Sequence, residues 1–368
     1  MTLFLRLLAD DLTGALDTSA EFVGVCGPLD VMSCDVLPSQ IPPSVAIDSG
    51  TRERNKAESL AIIDRLVPLL KDGSLAYKKI DSLLRGFWAA ELGACLRSGP
   101  WRSCILAPAF AYQGRRTFNG QQYARSHDGS WSRVGNTLLA QLKSEGITAS
   151  MGPMNGDPDA GVSVFDAENE ADLDRIVDIG KRAPGPVLWC GSGGLASALA
   201  RDNEAPSSHH MRGPVLGVFG SDHPTTVAQL TACGPAVVTL FDNNASNAEI
   251  VRKRLAADAI AMVAFNLSRG LDRRDAAKRI ARELERLTAD LDPPGTLIVA
   301  GGETLKAVCL AVEARALKVT GRVFPGLPRS TIQGGRWHGV DVISKSGAFG
   351  PSDLWRKLLL DNGLIIER

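Results

Sequence analysis

Short apolar runs alternate with segments whose apolar residues recur at helical spacing, and the alternation begins at the start of the chain. Leu3–Ala9 is an apolar run of the kind expected for a strand covered on both faces. Leu12, Leu16, Ala20 and Val23 then recur at helical spacing. Val45–Asp48 is another short buried run, and Leu60, Ile63, Leu66, Val67 and Leu70 share one helical face. Leu75–Ile80 reads as a strand, Glu91–Arg97 as part of a helix and Cys104–Ala107 as a strand. Such a βαβ series implies a largely parallel sheet with helices on both faces.

A chain of 368 residues favours two domains, because single cores stop growing near ~250–300 residues. A Gly- and Pro-rich zone occupies 152–161, and a strand follows at Val187–Cys190. Residues 201–213 have linker composition. The alternation restarts with the strand Pro214–Phe219. Ala276, Ile280, Leu284, Leu287 and Leu291 line a long helix for which Asp272 is the expected cap. Thr296–Ala300 is a strand, and Leu305, Val308, Cys309 and Val312 form the next helical stripe. The expected fold is α/β in two domains, 1–205 and 213–368, joined by a linker at about 205–213. Each domain is expected to hold a largely parallel sheet flanked by helices, with the active site in the cleft between them.

Lys plus Arg equals Asp plus Glu at 41 each, so no net field steers the chain to nucleic acid or an acidic membrane. Seven dispersed cysteines without CxxC spacing point to reduced thiols and a cytoplasmic protein, and away from zinc. The five histidines (127, 209, 210, 223, 338) show no metal spacing. The apolar start is too short for a bilayer span and lacks the charged region of a signal peptide.

Six stretches carry chemistry. Asp10 and Asp11 sit where the first strand gives way to a helix, outside the carboxyl end of a strand, where open α/β sheets bind ligands. Adjacent carboxylates there can orient a hydroxyl, accept its proton or help hold Mg²⁺, and helix capping explains them equally well. Asp81 also ends a strand, and Arg85 suits a substrate carboxylate or an ion pair with Asp81. Arg115 and Arg116 stand in a Gly-bracketed segment that can bind an anion or be a solvated loop. Gly301-Gly302-Glu303-Thr304 joins a buried strand to a helix, and glycines there let backbone N–H groups approach phosphate. Lys345-Ser346-Gly347 suits a second wall of a nucleotide pocket. Ser221 follows the first strand of the second half, in a typical ligand loop.

Gly191-Ser-Gly-Gly-Leu-Ala196 fits a dinucleotide fingerprint, but the acid expected about 20 residues on is replaced by polar linker. No GxxxxGK[ST] loop and no HRD or DFG signature is present.

Taken in order, ADDLTGA-x-D, IDS-x-LRG, PAF…GR-T…G, GS…TT-x-x-Q, GGET and KSG-x-FG resemble the four-carbon acid sugar kinase family from Leu8 to Trp355. The resemblance implies an ATP- and Mg²⁺-dependent kinase with an N-terminal sugar-acid domain and a C-terminal nucleotide domain. It implies substrates such as threonate, erythronate or 3-oxo-tetronate. Asp10, Asp11, Asp81, Arg85 and Arg115 would line the acid pocket, with Asp10 or Asp11 as the base. Gly301, Gly302, Glu303 and Thr304 would hold the ATP phosphates, and Ser221 and Gly347 would complete that pocket. A homodimer is compatible with this reading. Leu83, Leu305 and Ala348 depart from the family pattern, as does the shortened stretch at 121–136. These changes put the substrate in question more than the ATP site. The competing readings are a weakened relative that binds an acid or nucleotide without transfer, and an NAD-linked oxidoreductase.

Overall fold

The computed structural model describes residues 3–126, 128–241, 244–267 and 271–366. The chain divides into two compact units, Met1–Ala205 and Pro206–Arg368.

The strands of the first unit are β1 (Leu5–Ala9), β2 (Leu29–Ser33), β3 (Val45–Asp48), β4 (Leu75–Lys79), β5 (Ser103–Ala107), β6 (Arg115–Phe118), β7 (Gln121–Arg125), β8 (Trp131–Arg133), β9 (Ala149–Met151), β10 (Gly161–Val164) and β11 (Val187–Gly191). Its helices are α1 (Leu12–Cys26), α2 (Lys56–Leu70), α3 (Trp88–Ser98), α4 (Leu138–Ser144), α5 (Glu170–Gly180) and α6 (Gly193–Ala200). Eight strands run parallel in the order β2-β3-β1-β4-β11-β5-β10-β9. Burial is complete in β3 and β5 and lost only toward the β9 edge, where no residue is buried, as a sheet covered on both faces requires of its inner strands. The chain leaves β1 for β2 and β3 on one side and resumes at β4 on the other. That is a topological switch point, where a ligand crevice opens beyond the strand ends.

The second unit comprises β12 (Val215–Phe219), α7 (Pro224–Cys233), β13 (Val237–Phe241), α8 (Asn247–Asp258), β14 (Ile260–Asn266), α9 (Arg273–Asp290), β15 (Thr296–Ala300), α10 (Gly302–Ala311), β16 (Ala316–Phe324), β17 (Leu327–Gln333), β18 (Asp341–Lys345) and α11 (Leu354–Asp361). Strands β13-β14-β12-β15-β18 are parallel, again with a switch point, here beside β12. Asp272 caps α9 as expected, accepting from Asp275 N at 2.8 Å. Phe219, Ile298, Ile343 and Trp355 lie in the core of this unit.

Two features depart from the sequence expectation. Arg115 and Arg116 are not in an irregular loop but open β6, which pairs antiparallel with β7, and β7 with β8. The turn is Asn119-Gly120, both with positive φ (50° and 67°), the pair a two-residue hairpin favours. In the second unit, β16 and β17 form an antiparallel hairpin beside β18. It turns at Pro325-Gly326, where Gly326 has φ 80°. Among the described residues, no helix is long and apolar enough to cross a membrane.

Candidate active site

Asp10, Asp11 and Asp81 meet because β1 and β4 are paired in register, Ala9 opposite Lys79. The residue that joins them, Arg52, belongs to none of the sequence motifs. Arg52 arrives on the segment after β3, which is tied to β1 by Ser49 N and Oγ donating to Ala9 O at 2.9 and 2.7 Å. Its guanidinium grips Asp10 with two bonds, Nε at 2.7 Å and Nη2 at 2.8 Å. Nη1 pairs with Asp11, and Nη2 lies 3.7 Å from Asp81. The only sequence sign of Arg52 is its place just beyond a strand end and a turn glycine, Gly50, with φ 62°.

The electrostatics follow from this placement. Burial alone would raise the Asp10 pKa, but Arg52 and Lys79 outweigh it and hold the carboxyl below its usual range. Burial likewise acts upward on Asp81, and the hydrogen bond from Arg85 with the charge of Arg52 reverses it. Burial acts downward on Arg52, yet the acids leave it more firmly protonated than a free guanidinium. Arg52 therefore bridges Asp10 and Asp11. Among the described residues, no group of three or more His, Cys, Asp or Glu is arranged for a metal.

Asp11 is the more accessible of the pair, 21 % exposed at its side chain against 6 % for Asp10. It also caps α1, accepting from Gly14 N at 2.9 Å and Thr13 Oγ1 at 2.7 Å. Capping and function thus coincide in one carboxylate. Arg85 is paired bidentately with Asp81, Nε at 2.7 Å and Nη2 at 3.0 Å, across a turn at Ser82-Leu83 and ahead of α3 rather than on a helix. Its side chain is half exposed. Arg115 differs, because it has no acid partner among the described residues. Nη1 donates to Gln113 O and Gly114 O at 2.8 and 3.0 Å, while Nε is buried without a partner. Burial lowers its pKa, which marks a cation short of a counter-charge.

In the second unit, Phe219, Ala300 and Lys345 are aligned at the ends of β12, β15 and β18, so their loops lie side by side. Gly301 has φ 105°, a conformation that favours glycine. It starts α10 without any side-chain cap, leaving backbone donors free for an anion. A Cβ at Gly347 would lie 2.7 Å from Ser221 Oγ, and one at Gly301 would lie 3.4 Å from Thr304 Oγ1. The structure therefore brings Ser221, Gly301, Thr304 and Gly347 together. Gly302 opens α10, and Glu303 is exposed in its first turn.

Lys345 completes this cradle. It is 1 % exposed and donates only to Ser346 O at 2.9 Å and Gly347 O at 3.3 Å. With no acid beside it among the described residues, burial pulls its pKa down to about 7. A lysine depressed below its unfolded value of ~10.4 destabilises the fold below the folded pKa, and the cost is relieved as pH rises between the two. Lys345→Met should therefore raise the melting temperature at pH ~6 by several degrees, with the gain fading toward pH ~10, while weakening nucleotide binding. Melting curves and nucleotide titrations at both pH values check this. A pH-independent difference with intact affinity would refute it.

The glycines of the GSGGLA stretch are accounted for by packing. A Cβ at Gly193 would meet the Phe110 ring at 2.8 Å, and one at Gly194 would meet Ala109 O at 2.5 Å. His127 lies outside the described residues.

The two halves match two family models in the same order. A sugar-binding N-terminal domain matches residues 5–151, and a nucleotide-binding C-terminal domain matches residues 216–354. The chain is 30 % identical over 412 residues to the D-threonate kinase of Cupriavidus necator, covering 95 % of this chain and 96 % of the relative. It is 28 % identical over 394 residues to the D-threonate kinase of Bordetella bronchiseptica, covering 95 % of each. A Salmonella typhimurium LT2 structure described as a tRNA synthase aligns with TM-score 0.71 at 19 % identity, covering 96 % of this chain and 98 % of that one. At that identity the likeness establishes the fold alone. The chain belongs to the four-carbon acid sugar kinase family.

Proposed function

We propose that this kinase transfers the γ-phosphoryl group of ATP to a hydroxyl, the terminal one in our reading, of a four-carbon sugar acid, with D-threonate as the first candidate. The observation that carries the reading is the cradle of Ser221, Gly301 and Gly347 around a buried lysine without a counter-ion. An arrangement of free backbone donors and an uncompensated cation suits phosphate oxygens. D-Threonate comes first because the two relatives above act on it.

Phosphoryl transfer is mostly positioning and charge stabilisation. Mg-ATP supplies the γ-phosphoryl group and leaves as ADP with the bonding electron pair. Gly301, Gly302, Glu303 and Thr304 would hold its phosphates, and Lys345 would balance their charge. In the first unit, Arg115, with its unmet Nε, would bind the substrate carboxylate, and Arg85 would add its exposed edge. Asp11, the accessible member of the pair, would orient the attacking hydroxyl and take its proton. Asp10 would act indirectly by fixing Arg52. The chain carries seven free cysteines, consistent with the cytoplasmic location we propose.

The test is ADP release from Mg-ATP with D-threonate, D-erythronate and 3-oxo-tetronate in turn. Turnover with one acid supports the reading. Binding of acid and nucleotide without ADP formation would sink it.

A further inference from the structure

Two lysines stand side by side near the end of β4, and alternation along a strand sends them to opposite faces. Lys78 is sealed and neutralised by Glu91, 2.8 Å away. Lys79 is also buried, 5 % exposed, but makes no hydrogen bond or ion pair from its ammonium among the described residues. Nor is it one of the sealed partnerless atoms, as Thr18 Oγ1 and Ser19 Oγ are, so the ammonium retains access. Its charge acts at longer range on Asp10 and Asp81. A buried polar group without a partner calls for an explanation, since desolvating an ammonium is costly.

Its position supplies one. The point where a Cβ on Gly14 would sit is 2.6 Å from Asp11 Oδ1 and 2.8 Å from Lys79 Nζ. The carboxylate and the ammonium flank the bare face of Gly14 without pairing with each other. They are close enough for one oxygen to bridge them. A hydroxyl matches this pair because it donates to the acid and accepts from the ammonium. A carboxylate does not match, because Asp10, Asp11 and Asp81 would repel it.

We propose that Lys79 contacts the substrate, donating a hydrogen bond to the same hydroxyl that Asp11 orients. The inference rests on the kinase reading above. The hydroxyl oxygen forms its bond to the γ-phosphorus as the bond from phosphorus to the ADP oxygen breaks, and that electron pair leaves with ADP. The hydroxyl proton passes to Asp11. Lys79 keeps its protons and stabilises the negative charge on the attacking oxygen. A lysine suits this task because it is a compact point charge on a flexible stem.

The test uses the full chain with Mg-ATP and the accepted acid. Lys79→Met should lower kcat by about 10²–10³ while KM for Mg-ATP stays within about twofold. Lys79→Ala should lose activity comparably and recover part of it, saturably, with added ethylamine, which a purely structural role would not produce. Wild-type kcat in Lys79→Met, or a Lys79→Ala loss that no small amine restores, overturns the assignment while leaving the kinase reading intact. A wild-type chain that releases no ADP with any acid overturns both.

Discussion

Replacing Asp11 by Asn should lower kcat by at least about 10²-fold and leave the protein folded. The two effects separate because Asp11 has two roles with different chemical needs. As the cap of α1 it needs only an oxygen facing Gly14 N, and Asn caps a helix about as well as Asp. As the group that receives the hydroxyl proton it needs a carboxylate, which Asn lacks. The lost charge facing Arg52 is tolerated, because Arg52 keeps its two bonds to Asp10. We expect a stability change of no more than about 1 kcal/mol, the scale of a single cap. Steady-state kinetics at saturating substrates and a denaturation curve are sufficient. A variant that retains more than about a tenth of wild-type kcat would remove Asp11 from the chemistry.

The largest stability effect is expected at Arg52. Arg52→Ala leaves buried Asp10 without its main counter-charge and removes a second cation from Asp81, and breaking a buried pair in this way costs about 3–5 kcal/mol. The pH dependence is distinctive. In the wild type both carboxyls have lowered folded pKa values. Their contribution is therefore present above the unfolded carboxylate value of ~4 and is lost as pH falls through the folded values. Without Arg52, burial dominates at Asp10 and raises its pKa, so the folded variant binds a proton that the unfolded chain releases. Its deficit should then narrow as pH is lowered from ~8 to ~5. Urea denaturation at both pH values measures this. A deficit under ~1 kcal/mol, or one unchanged by pH, would mean that Arg52 is not the neutralising centre.

The strands were legible because a parallel sheet covered on both faces leaves its mark in contiguous residues. Val45–Asp48 and Thr296–Ala300 fall where the apolar runs placed them. The hairpin of β6 and β7 is signalled locally only by its Asn119-Gly120 turn, because its short polar strands carry no apolar run. The candidate residues at strand ends were also visible, since the end of a buried run is a sequence event. Ser221, Gly301, Thr304 and Gly347 each follow such a strand end, and the fold brings them together.

What the sequence alone determined is the alternation of elements, the largely parallel character of the strands in each unit, and the small residues and acids at their carboxyl ends. Those properties depend on neighbours along the chain. The tertiary structure decided which charges meet. Arg52 reaches Asp10, 42 residues away, because β3 and β4 flank β1, and nothing local to either residue encodes that pairing. The same holds for the lysines of β4 and for Lys345. Whether a buried cation finds an acid depends on the elements packed around it. In this fold Lys78 is neutralised, while Lys79 and Lys345 have no ion-pair partner among the described residues.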